Sequence, residues 1–169
     1  KAADGAQCVY KVKALGSKSS YNGNFSEELG CYVTCAVPTV SVKADTATGK
    51  PSLSWKKITG AAGYEIYRTE SGSNQVLRII VQELSFLDES AEIGVTYTYT
   101  VRALGKAEIY DSAASKAATV TATCGQPKVT GKIGSAGKPE LTWNEVEGAT
   151  NYIVYRSTSS SKNFKKIGE

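Results

Sequence analysis

The sequence predicts an all-β protein built as a two-sheet sandwich, on three observations. Apolar and polar residues alternate in short runs with the two-residue period of half-buried strands. Clusters of Gly, Pro, Asn and Ser punctuate those runs. A block of about 90 residues also recurs along the chain, and no segment shows a helical period.

Each element follows from that texture. Val40-Ser-Val42 marks a strand over 38–44, closed by Thr48-Gly49-Lys50-Pro51. Leu53-Ser-Trp55 marks 51–57, closed by Thr59-Gly60-Ala-Ala-Gly63, and Tyr64-Glu-Ile66 marks 63–69, closed by Glu70-Ser71-Gly72-Ser73-Asn74. Two more strands are read at 75–81 and 84–88. Tyr97-Thr-Tyr99-Thr-Val101-Arg-Ala103 is the longest alternation and marks 96–105, and a last strand is read at 112–123. Seven strands in about 90 residues argue a sandwich.

The repeat is explicit. Pro51-Ser-Leu-Ser-Trp55 returns as Pro139-Glu-Leu-Thr-Trp143, and Gly60-Ala-Ala-Gly-Tyr64-Glu-Ile-Tyr67-Arg68 returns as Gly148-Ala-Thr-Asn-Tyr152-Ile-Val-Tyr155-Arg156, both 88 residues on. Cys8-Val-Tyr10-Lys-Val12-Lys-Ala14-Leu15-Gly16 matches Tyr97-Thr-Tyr99-Thr-Val101-Arg-Ala103-Leu104-Gly105 at 89. Thr34-Cys35-Ala-Val-Pro38 matches Thr123-Cys124-Gly-Gln-Pro127 at the same spacing, so one residue is lost between Lys43 and Lys50. The chain reads as a tandem array.

Taken together, these motifs resemble a fibronectin type III repeat, an immunoglobulin-like β-sandwich, of the kind strung along bacterial surface proteins. The matching residues are Pro38 near the start, Leu53 and Trp55 on strand B, the stretch 60–68 on strand C, Phe86 and Asp88 of a Phe-x-Asp motif on strand E, and 94–103 on strand F. The resemblance implies one complete repeat over 36–124. It implies the last two strands, F and G, of a preceding repeat over 1–35, and strands A to C′ of a following one over 125–169. Trp55, Tyr64, Trp143 and Tyr152 fall at core positions, with Tyr97 at the tyrosine corner. Their alternation with polar residues assigns them to packing rather than to a carbohydrate-stacking platform.

Composition narrows the chemistry. With no His there is no Ser-His-Asp triad, Cys-His dyad or imidazole ligand. A net charge of +4 from scattered Lys and Arg lacks the basic stripe that nucleic acid would want. No apolar run approaches the ~18 residues of a membrane span, and Lys1 opens into a polar segment, so a mature or cut chain is expected. No pair of carboxylates is set apart for glycoside hydrolysis. Asp88 reads as a turn cap receiving backbone N–H groups. No enzyme activity, cofactor, metal or nucleic acid is therefore expected.

The expected function is a non-catalytic spacer array of an extracellular bacterial surface protein. Two alternatives remain: an adhesin binding a host protein such as an immunoglobulin or matrix protein through loops or strand edges, and an accessory module of a carbohydrate-active enzyme. Partner contacts would come from the F–G tips, at Tyr21 and Asn22 and at Glu108, Ile109 and Tyr110. The competing reading of Tyr21 and Tyr110 is that they fold back on a neighbouring repeat and stiffen the linker. Short linkers ending in Pro suggest a semi-rigid rod.

Four cysteines add two expectations. Cys8 and Cys31 take the places of Tyr97 and Val120, on neighbouring strands F and G, so a disulfide between them is expected, with Cys8 facing inward beside Tyr10 and Val12. Cys35 and Cys124 close successive repeats and should not bridge within one chain. Finally, the two partial repeats are complementary and are expected to close between molecules, head to tail.

Overall fold

The computed structural model describes residues 6–159 and 162–169. Seven strands in its middle form the sandwich. One sheet pairs β3 (Val40–Ala44), β4 (Pro51–Trp55) and β7 (Ser85–Leu87) in that order; the other pairs β6 (Val76–Val81), β5 (Gly63–Glu70), β8 (Thr96–Leu104) and β9 (Ala118–Thr121). All pairings are antiparallel, and the order is the A-B-E and C′-C-F-G arrangement of a fibronectin type III sandwich.

Alternation decides which side chains meet between the sheets. Leu53 and Trp55 from one sheet face Tyr64, Ile66, Tyr97, Tyr99, Val101 and Ala103 from the other, and all are buried. The Trp55 and Tyr64 rings tilt together with centroids 5.3 Å apart, an arrangement that adds to their burial. Two buried tyrosine hydroxyls find backbone partners, while the Trp55 indole N–H has none: the Ile58 N–H donates to Tyr64 Oη at 2.9 Å, and the Glu92 N–H to Tyr97 Oη at 3.0 Å. The second of these is the tyrosine-corner bond.

The last strand is shorter than 112–123. Ser112 and Ser115 each satisfy β8 twice, which replaces regular pairing. Their N–H groups donate to the carbonyls of Ala103 and Val101, and their hydroxyls accept from the N–H groups of those same residues at 2.8 and 3.0 Å. A side chain that stands in for the backbone acceptor breaks the ladder locally while leaving no polar group unpaired.

On either side lie smaller assemblies. β1 (Gln7–Tyr10) pairs with β2 (Leu29–Tyr32); β10 (Val129–Ile133) pairs with β11 (Pro139–Trp143), and β12 (Val154–Arg156) with β13 (Lys165–Gly168). Local hydrogen bonds of the sandwich recur in them. Val12 and Ser26 repeat the double bond of Val101 and Ser115. Asn22 accepts from Gly16 N–H as Asp111 does from Gly105 N–H, and Tyr152 accepts from Val146 N–H as Tyr64 does from Ile58 N–H.

Two features of the leading hairpin differ from expectation. Cys8 and Cys31 are opposed in the β1–β2 register, but both are thiols rather than a disulfide. The side of the 8–12 segment expected to face inward is open: Tyr10 is 52% and Val12 72% exposed, because among the described residues no second sheet lies over them. Residues 1–5, the start of the expected 1–35 unit, lie outside the described residues.

Candidate functional site

The most strongly built polar sites are two ionic clusters in the central sandwich. Asp88 is buried where β7 ends. Its carboxylate takes the Arg68 guanidinium at 2.7 Å, the Tyr99 hydroxyl at 2.7 Å and the Ser90 hydroxyl at 2.7 Å, with the Ser90 N–H at 3.2 Å. Arg68 and Tyr99 are direct cross-strand neighbours on β5 and β8, so register alone delivers both donors to one carboxylate. Burial opposes ionisation of Asp88, but the hydrogen bonds from Arg68, Ser90 and Tyr99 prevail and hold its carboxyl below the usual range. Burial, then the bond to Asp88, pushes the Tyr99 hydroxyl well up. Arg68 also lies over the Tyr97 ring, 4.9 Å from its centroid.

The second cluster sits on the outer face of the four-stranded sheet. Glu65 is 0% exposed, ion-paired with Arg102 and Arg78 and hydrogen-bonded by Tyr67 Oη at 2.7 Å. Arg102 stands directly across from Glu65 and reaches on to Asp111 at 3.4 Å. Each carboxylate is thus the shared acceptor of side chains from neighbouring strands. They tie neighbouring strands together through charged side chains. Among the described residues, no group of three or more His, Cys, Asp or Glu stands close enough to hold a metal ion.

Neither cluster was singled out in the sequence. Glu65, Arg78 and Arg102 are far apart along the chain, as are Arg68 and Asp88. For Glu65 and Arg102 the usable signal was opposite charge at positions that pair once β5 and β8 are in register.

The expected tip residues divide. Each F–G tip carries a 3₁₀ turn, Ser19–Tyr21 in one and Glu108–Tyr110 in the other. Tyr21 is exposed, with Lys18 Nζ 6.0 Å from its ring centroid. Asn22 spends its side-chain oxygen within the loop, while Glu108 and Ile109 remain exposed. Tyr110 folds back: its ring meets Tyr32 edge-on at 5.9 Å, and its carbonyl accepts from the Cys35 N–H at 2.8 Å. Tyr110→Ala should therefore speed amide exchange across 29–35, whereas Tyr21→Ala should leave it unchanged; equal effects from the two would contradict this assignment.

A second joint lies at the opposite pole, where the turn between β3 and β4 meets the segment after β9. Asp45 caps that turn, accepting from the N–H groups of Ala47 and Thr48 and from the Thr48 hydroxyl; the Thr48 bonds lead in holding its carboxyl below the usual range. Thr123 N–H donates to Gly49 O at 2.9 Å, and Gln126 N–H to Thr46 O at 2.8 Å. Gly49 has φ +75°, and a Cβ there would lie 1.7 Å from Thr123 O; one on Gly125 would lie 2.1 Å from Ala47 O. Only glycine permits so close a backbone approach. Lys50 Nζ spans the joint to Glu147 at 3.0 Å while also donating to Glu89 O at 2.6 Å.

Of the remaining core positions, Trp55 is 7% exposed and its counterpart Trp143 37%. The Trp143 and Tyr152 rings tilt together with centroids 5.6 Å apart, as those of Trp55 and Tyr64 do.

Comparison with known proteins gives partial likenesses. No family model matches the sequence. An amylopullulanase of Thermoanaerobacterium thermosulfurigenes is 35% identical over 66 residues, which is 38% of this chain and 4% of that enzyme. Among solved structures, the FN1–FN3 domains of chicken CNTN1 align with 71% of this chain and 43% of theirs, at 27% identity and a TM-score of 0.47. The twitchin kinase region from C. elegans aligns with 63% of this chain and 19% of its own, at 18% identity and a TM-score of 0.45.

Proposed function

We propose that the chain is a non-catalytic spacer segment of tandem fibronectin type III-like repeats, in an extracellular bacterial protein. In this reading 36–124 is one whole repeat, 1–35 the end of the repeat before it and 125–169 the start of the repeat after it. The observation that carries the reading is the pair of hydrogen-bonded joints at opposite poles of the central sandwich, at Tyr110 and at Gly49. A linker whose backbone is hydrogen-bonded to its neighbour transmits direction along the array, whereas a free linker behaves as a coil. The recurrence of local hydrogen bonds one repeat apart supports the tandem organisation.

The similarity to an amylopullulanase segment favours a second reading of the parent protein, in which the same spacer serves a polysaccharide-degrading enzyme as an accessory module. A third reading, adhesion to a host protein, rests on the exposed Tyr21 tip, since an amphipathic ring on a rigid scaffold makes a serviceable contact.

Pull-downs of the 169-residue chain separate the three. A pure spacer is retained neither on insoluble starch or pullulan nor on immobilised serum and matrix proteins. Retention on the polysaccharide replaces the spacer reading with the accessory one. Capture of a serum or matrix protein that is lost in Tyr21→Ala replaces it with adhesion.

A further inference from the structure

We propose that β6, an edge of the four-stranded sheet, pairs with β6 of a second copy of this chain and joins the two sheets across a two-fold axis. The strand reads Val76-Leu77-Arg78-Ile79-Ile80-Val81, apolar except at Arg78. Among the described residues, β5 lies on one side of β6 and no strand on the other. Val76 is 57%, Leu77 43% and Ile80 61% exposed. An edge this long and apolar, without proline, is a template for another strand. It belongs to the central sandwich, and the hydrogen bonds of the two joints do not involve it.

The fold does not require such an edge. β13 stands where β6 does, since Tyr155 faces Lys166 and Arg156 faces Lys165 as Tyr67 faces Arg78 and Arg68 faces Leu77. That strand reads Lys165-Lys166-Ile167-Gly168, so lysines guard the position that β6 leaves apolar. The other edges of the central sandwich are blunted. β7 has three residues, and β3 and β9 lie against each other between the sheets.

The chemistry of β6 makes a second copy the fitting occupant. Its one charge, Arg78, is ion-paired with Glu65 on β5, so nothing on the edge repels an identical edge. Directly opposed residues of an antiparallel pair share a face, so a two-fold pairing must centre on a residue. Centred on Arg78, it would set two guanidinium groups against each other. Centred on Ile79, it sets Leu77 opposite Val81 of the second copy, Arg78 opposite its Ile80, and Ile79 opposite itself. Apolar side chains then meet apolar side chains or the aliphatic stem of Arg78. Each copy spends its one long edge, so assembly stops at two. The paired strands run in opposite directions, and so do the two chains, a geometry that ties arrays approaching from opposite sides.

This proposal stands on the edge and the spacer reading on the joints: a monomer with ordered joints keeps that reading and ends this one. Sedimentation of the 169-residue chain at rising concentration should show monomer and dimer and nothing larger. Amides of 76–81 should exchange more slowly as the dimer fills, while those of β9 stay unchanged. Ile80→Lys sets an ammonium opposite Arg78 of the second copy, twice per dimer, and should weaken association about tenfold or more. Ile80 is exposed and stands across from Glu65, so the central sandwich should melt as before. Thr121→Lys adds the same charge at the opposite edge, on β9, and should leave the dimer intact. A chain that stays monomeric at every concentration overturns the proposal. So do species that grow beyond the dimer, and association that Ile80→Lys spares or Thr121→Lys weakens equally.

Discussion

Asp88→Ala should cost the central sandwich about 3–5 kcal/mol, the penalty for removing one partner of a buried ion pair. The carboxylate is the common acceptor for Arg68, Tyr99 and Ser90. Its loss leaves a partly buried guanidinium and the fully buried Tyr99 hydroxyl without their acceptor. Domains of this size are stable by about 5–15 kcal/mol, so a large part of the margin goes at once. Urea unfolding followed by Trp emission measures it, with the midpoint falling and the slope unchanged. Asp88→Asn keeps an acceptor for Tyr99 while losing the charge, and should cost less. A midpoint for Asp88→Ala within error of the parent would contradict the role assigned to the cluster.

The same carboxylate sets an acid limit. Its folded pKa lies below the unfolded value of ~3.9. The stabilisation is therefore complete above that unfolded value and is lost as pH falls through the folded one. In Asp88→Asn that part of the acid dependence should disappear.

Trp55→Ala should be comparably severe, at about 3–5 kcal/mol, while Trp143→Ala should leave the unfolding of the central sandwich almost unchanged. The two residues end equivalent strands of the same motif, each beside a Tyr; they differ in what lies above them. Trp55 is enclosed by a second sheet, so truncation opens a cavity as well as forfeiting transfer energy. Trp143 is partly open already, and the central core does not include it. Equal losses at the two positions would mean that the trailing strands and the sandwich unfold as one cooperative unit.

How far the sequence disclosed this molecule depends on the range of each interaction. Strand positions were legible because a two-residue period is local: Leu53 and Trp55, or Tyr97 through Ala103, declare a buried face without knowledge of the partner. The end of the sandwich is not legible locally, since 112–123 looks strand-like until Ser112 and Ser115 turn their hydroxyls onto β8. The inward face expected for Cys8, Tyr10 and Val12 depended on a covering sheet that local pattern cannot supply. The ionic clusters were illegible for the same reason. Glu65 meets Arg102 only through the β5–β8 register, and nothing in either neighbourhood marks the pair. The division of Tyr21 from Tyr110 likewise rests on Tyr32, which lies against only one of them.

The joints are tested most directly by ¹⁵N relaxation on the 169-residue chain, at dilutions where it is monomeric, alongside Gly125→Val. Amides of β1–β2, of the central sandwich and of β10–β13 should fit a single elongated diffusion tensor. In Gly125→Val, where the side chain collides with Ala47 O, the β10–β13 amides should separate from that tensor while the others keep it. Three independent correlation times in the parent chain, unchanged by the substitution, would contradict the spacer reading.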